Sequence, residues 1–559
     1  MRVSKTNAGL KVHAVSGTYV VTLGIHLPQI DCDGLLGFSI HRTDHTEGEA
    51  AFLKGMKAFA DTDPGFPAGS QYSTQEHPIQ SFQWADYSAK PGHDYTYRVM
   101  ARKGSPSALV THAEAKVRIR TESPESGDHD VYFNRGIAAS QEYVRRFGDR
   151  SPDQVENNQA YQWLSRGLYE ALENFINTTD PAREQLRVAA YEFTYEPLLH
   201  VLKNALDRGV DLRINYDGRE KDEKKLPGKP NRERVMAAGL SGISVERTQP
   251  KSAISHNKFI VKIRDGHPVA VWTGGTNFSR GGIFGHSNVA HLIEDPVIVA
   301  KYLEYWNILN TNPNDDTLTA EVEALTPLPA MPPPKGTTPI FSPRASLDAL
   351  DLYVDYAMAA KQGLMMTFAF GMNPRFREVY RNSAAPFRLA LLETKARAQK
   401  DKVKQKAEED EIQKLRNMPE NVFAVGSLIK TNEIDGWVKE KLSGLNVNVR
   451  YVHNKFMLID PLGNDPIVIA GSANFSDAST KDNDENMVVV RGNKRVADIY
   501  FGEFMRLWSH HSFRESLSFR KVGDPPPAPK PLSTTDWWAD AYGNTERSTR
   551  RRFFARVTI

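Results

Sequence analysis

The sequence predicts an α/β protein: two lobes related by a pseudo-twofold, each a mixed sheet flanked by helices, preceded by an all-β sandwich. Three observations carry this. Two stretches far apart, Ser255 to His291 and Tyr451 to Val490, keep one register of polar residues although most side chains differ. Both follow helix and strand periodicities in the same order, the pattern of a duplicated unit. From about residue 10 to 122, short apolar-polar alternations separated by turn signals read as strands instead.

Each stretch opens on a histidine, His256 or His453, with lysine two places on, Lys258 or Lys455. A Gly-x-x-Asn ends 21 places after the histidine in both, at Asn277 and Asn474, and 32 places after it stand Asn288 and Glu485. Alternation along one apolar strand explains a single His-x-Lys. It does not explain two copies with matched glycine and asparagine offsets. The pair resembles the phospholipase D superfamily, whose signature is His-x-Lys-x4-Asp followed by Gly-Ser-x-Asn. The second copy matches throughout, with His453, Lys455, Asp460, Gly471, Ser472 and Asn474; the first has Ile263 at the aspartate position, Asp265 two places late, and Gly275 for the serine.

Phosphodiester cleavage needs charge stabilisation on phosphoryl oxygens, a nucleophile, and a proton for the leaving alkoxide. Two lysines and two asparagines supply donors without a metal or cofactor. The resemblance implies that one histidine attacks phosphorus, giving a phosphohistidine, while the other serves as acid and then as base towards water. It also implies that Asp460 supports its lobe more than it touches phosphate. If each residue at the 32nd place bonds its own copy's histidine, Glu485 stabilises a His453 imidazolium and neutral Asn288 leaves His256 closer to unprotonated. On that expectation His453 is the acid and His256 the nucleophile. Asn288, Glu485, Asp460 and Ser472 are supporting residues.

The chain has 559 residues, enough for several domains, with the 40% apolar and 25% charged composition of a soluble globular protein. No apolar run suits a membrane span, and the start lacks the apolar core of a secretory signal, so a cytoplasmic location is expected, export without a signal or after its removal remaining open. Cys32 is the only cysteine, which excludes an intrachain disulfide and a cysteine metal cluster. A formal charge of +3 does not by itself mark a nucleic-acid binder.

In chain order, residues 1–122 are expected to form the sandwich. The alternation of Tyr95, Tyr97 and Val99, the Lys-Pro-Gly turn at 90–92 and the segment Tyr95 to Arg102 resemble a fibronectin type III domain. Lobe one is expected over 123–325. Leu164, Leu168, Leu172, Phe175 and Ile176 fall on one helical face, and a strand over 188–193, a helix ending near Gly209 and a strand reaching Asp217 make a βαβ unit. The charged loop 218–234 reads as solvated. A Pro-rich linker is expected over 326–345 and lobe two over 346–520, with a helix over 347–360, a strand over 364–370, and a helix from Phe387. The polar segment 395–417 reads as an exposed helix or hairpin arm. A strand is expected over 447–452. The tail, 521–559, passes through a stiff proline stretch, and Trp537 and Trp538 are expected to pack back on the body.

The expected function is a metal-independent phosphodiesterase of the phospholipase D type, hydrolysing phospholipid head groups or transferring them to an alcohol at a membrane surface, because two sites in one chain are the usual phospholipase arrangement in the family. The chain then acts as a monomer. A superfamily nuclease cleaving DNA or RNA is the alternative, and a non-catalytic scaffold binding through the sandwich is the third reading. An apolar cleft favours acyl chains, whereas an open basic groove favours a polymer backbone.

Overall fold

A computed structural model describes residues 1–66, 70–136, 141–148, 150–219, 227–249, 253–397, 399–426, 451–518 and 531–558. The N-terminal strands form two four-stranded antiparallel sheets. One holds Arg2–Asn7, Leu10–Ser16, Val21–His26 and Gln83–Asp86; the other holds Ala108–Arg120, Asp94–Ser105, Gly37–Asp44 and Glu49–Phe52. Tyr95, Tyr97, Val99, Val117 and Ile119 are buried between the sheets, as their alternation requires.

Two seven-stranded mixed sheets follow. Read across, the first runs His129–Phe133, Val289–Ile293, His267–Gly274, Lys258–Arg264, Glu184–Ala190, Asp211–Asp217 and Ser244–Arg247. The second runs Gly336–Ser342, Glu485–Arg491, Ile467–Gly471, Phe456–Ile459, Leu364–Phe368, Arg388–Leu392 and Asn421–Val425. The orders correspond strand for strand. In both, the fifth strand is antiparallel to the motif strand and parallel to its other neighbour. Val188 pairs with Ile260 and Met366 with Met457, each partner four residues past its histidine, so side chains of the two lobes can be equated one by one.

The lobes are joined by two parallel bridges, Ser255 with Asp484 and Ser287 with Val452. The His256 N–H donates to Asp484 O at 2.9 Å and the His453 N–H to Ser287 O at 3.2 Å. The residue just before each histidine thus meets the residue just before Asn288 or Glu485 of the other lobe, which is what a twofold requires. Around this seam, Arg247 and Asp484 form an ion pair at 3.0 Å with both side chains fully buried, and Ser255 Oγ donates to the same carboxylate at 2.5 Å.

Three local expectations are corrected, and those for the polar segment and for the tail's tryptophans hold. The helical face from Leu164 to Ile176 belongs to two helices, Gln159–Ser165 and Leu168–Asn177, because Arg166 (φ 51°) and Gly167 (φ 90°) adopt left-handed backbone between them. The helix expected from Phe387 is the strand Arg388–Leu392, preceded by the helix Pro374–Asn382; a short buried apolar run fits either period. Within the expected linker, Gly336–Ser342 is the edge strand of the second sheet, where Pro339 costs no ladder bond to a further neighbour. The polar segment carries the helix Lys402–Arg416, capped by Asp401 and anchored by buried Ile412 and Leu415. In the tail, Trp537 Nε1–H donates to Leu35 O at 2.7 Å, and Phe553 and Phe554 of the helix Glu546–Ala555 enter the central core. Positions 220–226 of the charged loop, the expected strand at 447–450 and the proline stretch at 524–530 lie outside the described residues.

Candidate active site

His256 and His453 line one cavity of about 900 Å³ at the seam, together with Asn277, Lys455 and Asn474. Both histidines are buried, each just ahead of its motif strand, so the lysine two places on shares its face. Lys455 Nζ donates to His453 O at 2.7 Å, and Lys258 Nζ to His256 O. Lys258 also lies 5.0 Å from the centre of the Tyr191 ring, whose edge meets His256. The side-chain oxygens of Asn277 and Asn474 make no hydrogen bond among the described residues.

The glycines at the head of each Gly-x-x-Asn are set by close backbone approach. A Cβ on Gly471 would lie 2.1 Å from Asn486 O, and one on Gly274 2.4 Å from Val289 O. Gly275 has a different reason. A Cβ there would meet Asn288 Oδ1 at an ordinary 3.5 Å, so space does not forbid serine. Ser472, its counterpart, donates to Glu485 Oε2 at 2.6 Å, and lobe one has no carboxylate at that place to receive such a bond.

The pairing of histidines with supporting residues is crossed, which overturns the expectation that each copy serves its own ring. His256 Nδ1 lies 2.9 Å from Glu485 Oε2, and His453 Nδ1 lies 3.0 Å from Asn288 Oδ1. Glu485 therefore serves His256, not His453. Asn288 is fixed by donating its amide to Gly282 O at 2.6 Å, which leaves Oδ1 to accept from the imidazole.

Burial pushes His256 down to about 4 although Glu485 pulls the other way, and pushes His453 well below the ordinary histidine range with help from Lys455 and His286. Lys258 is pushed down to about 7 by burial, and Lys455 further by burial and by Lys258. Burial would raise Glu485, but His256, Lys258 and the Ser472 hydroxyl outweigh it and hold the carboxyl down at about 2. The cavity buries basic groups whose protonated forms a bound anion would stabilise.

Asp460 stands apart from the cavity. At φ 48° in a hairpin turn, its carboxylate accepts from the backbone N–H groups of Lys361, Gln362 and Gly363 at 2.7–3.1 Å. Asp265 sits at φ 50° in the matching turn of a longer hairpin, yet its carboxylate pairs with exposed Arg183 instead. Sequence reasoning passed over three residues. Asn257, the middle residue of a His-Asn-Lys that both copies spell out, accepts from Asn486 at 2.7 Å across the seam. His286 lies ring against ring with His453, centres 4.3 Å apart, and Tyr191 walls the cavity. The one group of potential metal ligands among the described residues, Asp44, Glu47 and His93, belongs to the N-terminal sheets. No helix among the described residues is long and apolar enough to cross a membrane.

A family model described as cardiolipin synthase, phospholipase D-like domain, matches residues 175–309 and again 378–508, one repeat on each lobe. This doubled match supports the phospholipase D superfamily and an enzyme acting on phosphodiesters. No curated protein sequence matches the chain. Among solved structures, phosphatidylserine synthase from Haemophilus influenzae is similar at 11% identity and TM-score 0.43, over 62% of this chain and 85% of that one. Polyphosphate kinase from Porphyromonas gingivalis is similar at 11% identity and TM-score 0.37, over 60% of this chain and 43% of the kinase, so the likeness spans less than half of that protein. Nuc from Salmonella typhimurium is similar at 15% identity and TM-score 0.22, over 31% of this chain and 94% of Nuc.

Proposed function

We propose that this chain, whose two lobes match the phospholipase D-like family, is a metal-independent phosphodiesterase working through a phosphohistidine. The observation that carries this is the crossed pair of imidazoles in one cavity. His256, holding its Nδ1 proton on Glu485, presents the Nε2 lone pair to phosphorus, and the carboxylate offsets the positive charge that develops on the ring. The ester bond breaks, and the leaving alkoxide takes a proton from His453. Water then attacks the phosphohistidine, gives its proton to His453, and releases the phosphomonoester and free His256. Lys258, Lys455, Asn277 and Asn474 hold the non-bridging oxygens. The nucleophile is the one expected from sequence, but for the opposite reason: the carboxylate belongs to the nucleophile, not to the acid.

The substrate in this reading is a phospholipid, cleaved at its head group by water or by an alcohol. Phe368, Phe370, Met372 and Phe475 give the cavity an apolar wall, which suits an acyl-bearing arm better than a polymer backbone. The N-terminal sheets act as a fibronectin type III-like spacer, and one chain suffices for activity. Vesicles incubated with the enzyme and excess chelator should release head groups, and added ethanol should divert product to the phosphatidyl alcohol. Brief quenching should trap phosphoenzyme in His453→Ala but not in His256→Ala. Label retained without His256 would reverse the roles, and chelator-resistant degradation of DNA or RNA without lipid cleavage would establish the nuclease.

A further inference from the structure

The twofold that equates the lobes also exposes a difference between them. Residues four places beyond Val188 and Met366 correspond, which sets Glu192 against Phe370. Both line the cavity, two residues past the ends of the corresponding strands Glu184–Ala190 and Leu364–Phe368, so the twofold sets them on opposite sides of the histidine pair. Glu192 receives a hydrogen bond from Ser279 Oγ at 2.6 Å through one oxygen, and its charge reaches both site lysines. Phe370 remains 39% exposed, with buried Phe368, Met372 and Phe475 also on that wall. Of the arginines on the lining, Arg280 pairs with Asp153 at 2.8 Å and Arg377 with Glu408 and Glu411, while Arg397 acts on Glu408 by its charge.

We propose that Glu192 selects the polar arm of the substrate, taking an arm that ends in an ammonium group, while the exposed Phe370 wall opposite takes the apolar arm. This deepens the phosphodiesterase reading and rests on it. A carboxylate placed beside a phosphate site weakens phosphate binding unless the ligand brings a compensating cation, so its presence there favours a zwitterionic diester. The same carboxylate repels a second phosphate, which an adjoining nucleotide would bring. The Ser279 bond holds one carboxyl oxygen and leaves the other for the ammonium N–H.

The test uses the full-length enzyme and mixed micelles of phosphatidylethanolamine or phosphatidylglycerol, which share the apolar arm and differ in the polar one. Wild type should favour the ethanolamine lipid in kcat/KM, and Glu192→Gln, which keeps the Ser279 bond, should lower that preference about tenfold, weakening the ethanolamine lipid while relieving the repulsion that the glycerol lipid meets. Phe370→Ala should weaken both lipids alike. Calorimetry with phosphoethanolamine and glycerol phosphate reads the same selectivity without turnover: wild type should bind the former more tightly, and Glu192→Gln should erase the difference. Equal binding of the two in wild type, or an equal loss for both in Glu192→Gln, would overturn the assignment. Selective binding without lipid cleavage would instead sink the phosphodiesterase reading and leave the ammonium site standing.

Discussion

Glu485 faces His256, the Ser472 hydroxyl and, at longer range, Lys258, and each of them favours its ionised form. Replacing it by glutamine keeps the shape and removes the charge that stabilises the ring as the N–P bond forms. We expect Glu485→Gln to lower kcat by about 10²–10⁴-fold with a small change in KM, measured by steady-state and quench kinetics. Its stability effect has a definite sign. A carboxyl held at about 2 against an ordinary 4.5 contributes stability that is present above pH 4.5 and lost as the pH falls towards 2. His256, pushed from 6.5 down to about 4, acts in the same direction, because the unfolded chain binds its proton first. Thermal melts should therefore fall between pH 6.5 and 4 in both proteins, and fall less in Glu485→Gln than in wild type below 4.5. His453 has only the neutral Asn288 to lean on, so it awaits an anion before it can hold the acid's proton. Binding of inorganic phosphate near pH 7 should take up protons, which calorimetry in buffers of different ionisation enthalpy detects; His453→Ala should reduce that uptake, leaving the share of Lys258 and Lys455. Equal offsets in the two copies identified all these side chains, but not who bonds whom. Under a twofold, bonds within a copy and bonds between copies leave the same spacing in the sequence, and only the interlobe bridges distinguish them.

The elements that carry the site are held by turns as much as by packing. Asp460 ties down three amides between the helix Asp348–Met358 and the strand Leu364–Phe368, whereas Asp265 holds only an exposed arginine. Asp460→Ala should cost about 1–2 kcal/mol of stability, and Asp265→Ala under about 0.5 kcal/mol, both read from denaturant midpoints. Activity below the new midpoint should be nearly unchanged in each, since neither side chain lines the cavity. Elements with long, clean periods were legible in the sequence, such as the helix Glu196–Asp207 and the alternating strand Asp94–Ser105. Arg388–Leu392 was not, because four buried apolar residues behind a buried arginine are too short a run to tell a helical period from a strand's. Gly336–Ser342 was hidden by prolines whose meaning depends on being at an edge, a fact of the sheet and not of the segment.

At the scale of the molecule, the seam is where energy and geometry are most tightly bound together. Arg247 reaches from the last strand of the first sheet to Asp484 of the second lobe with neither group touching water. Arg247→Met strands a buried carboxylate and should cost about 3–5 kcal/mol, while the double variant with Asp484→Leu should recover most of that loss. Paired denaturation curves and activity assays check this: the single variant should lose activity with stability, and the double should regain stability first. Specific activity should also be independent of protein concentration, since both half-sites lie on one chain. The two lobes and their common cavity could be anticipated from the repeat. The tail's return to the core through Phe553 and Phe554 could not, because contacts this distant in sequence leave no local pattern.

The crossed bonds bear on how such a protein can arise. Two identical subunits meeting about a true axis must give both rings the same neighbour, so neither can specialise as attacker or donor before substrate breaks the tie. Covalent joining lifts that constraint: a single change at position 288 or 485 alters the environment of the opposite ring alone. Here the two rings are chemically distinct through the residues that the opposite half sets beside them, and a graft that replaced either half with a copy of its sibling would erase the distinction.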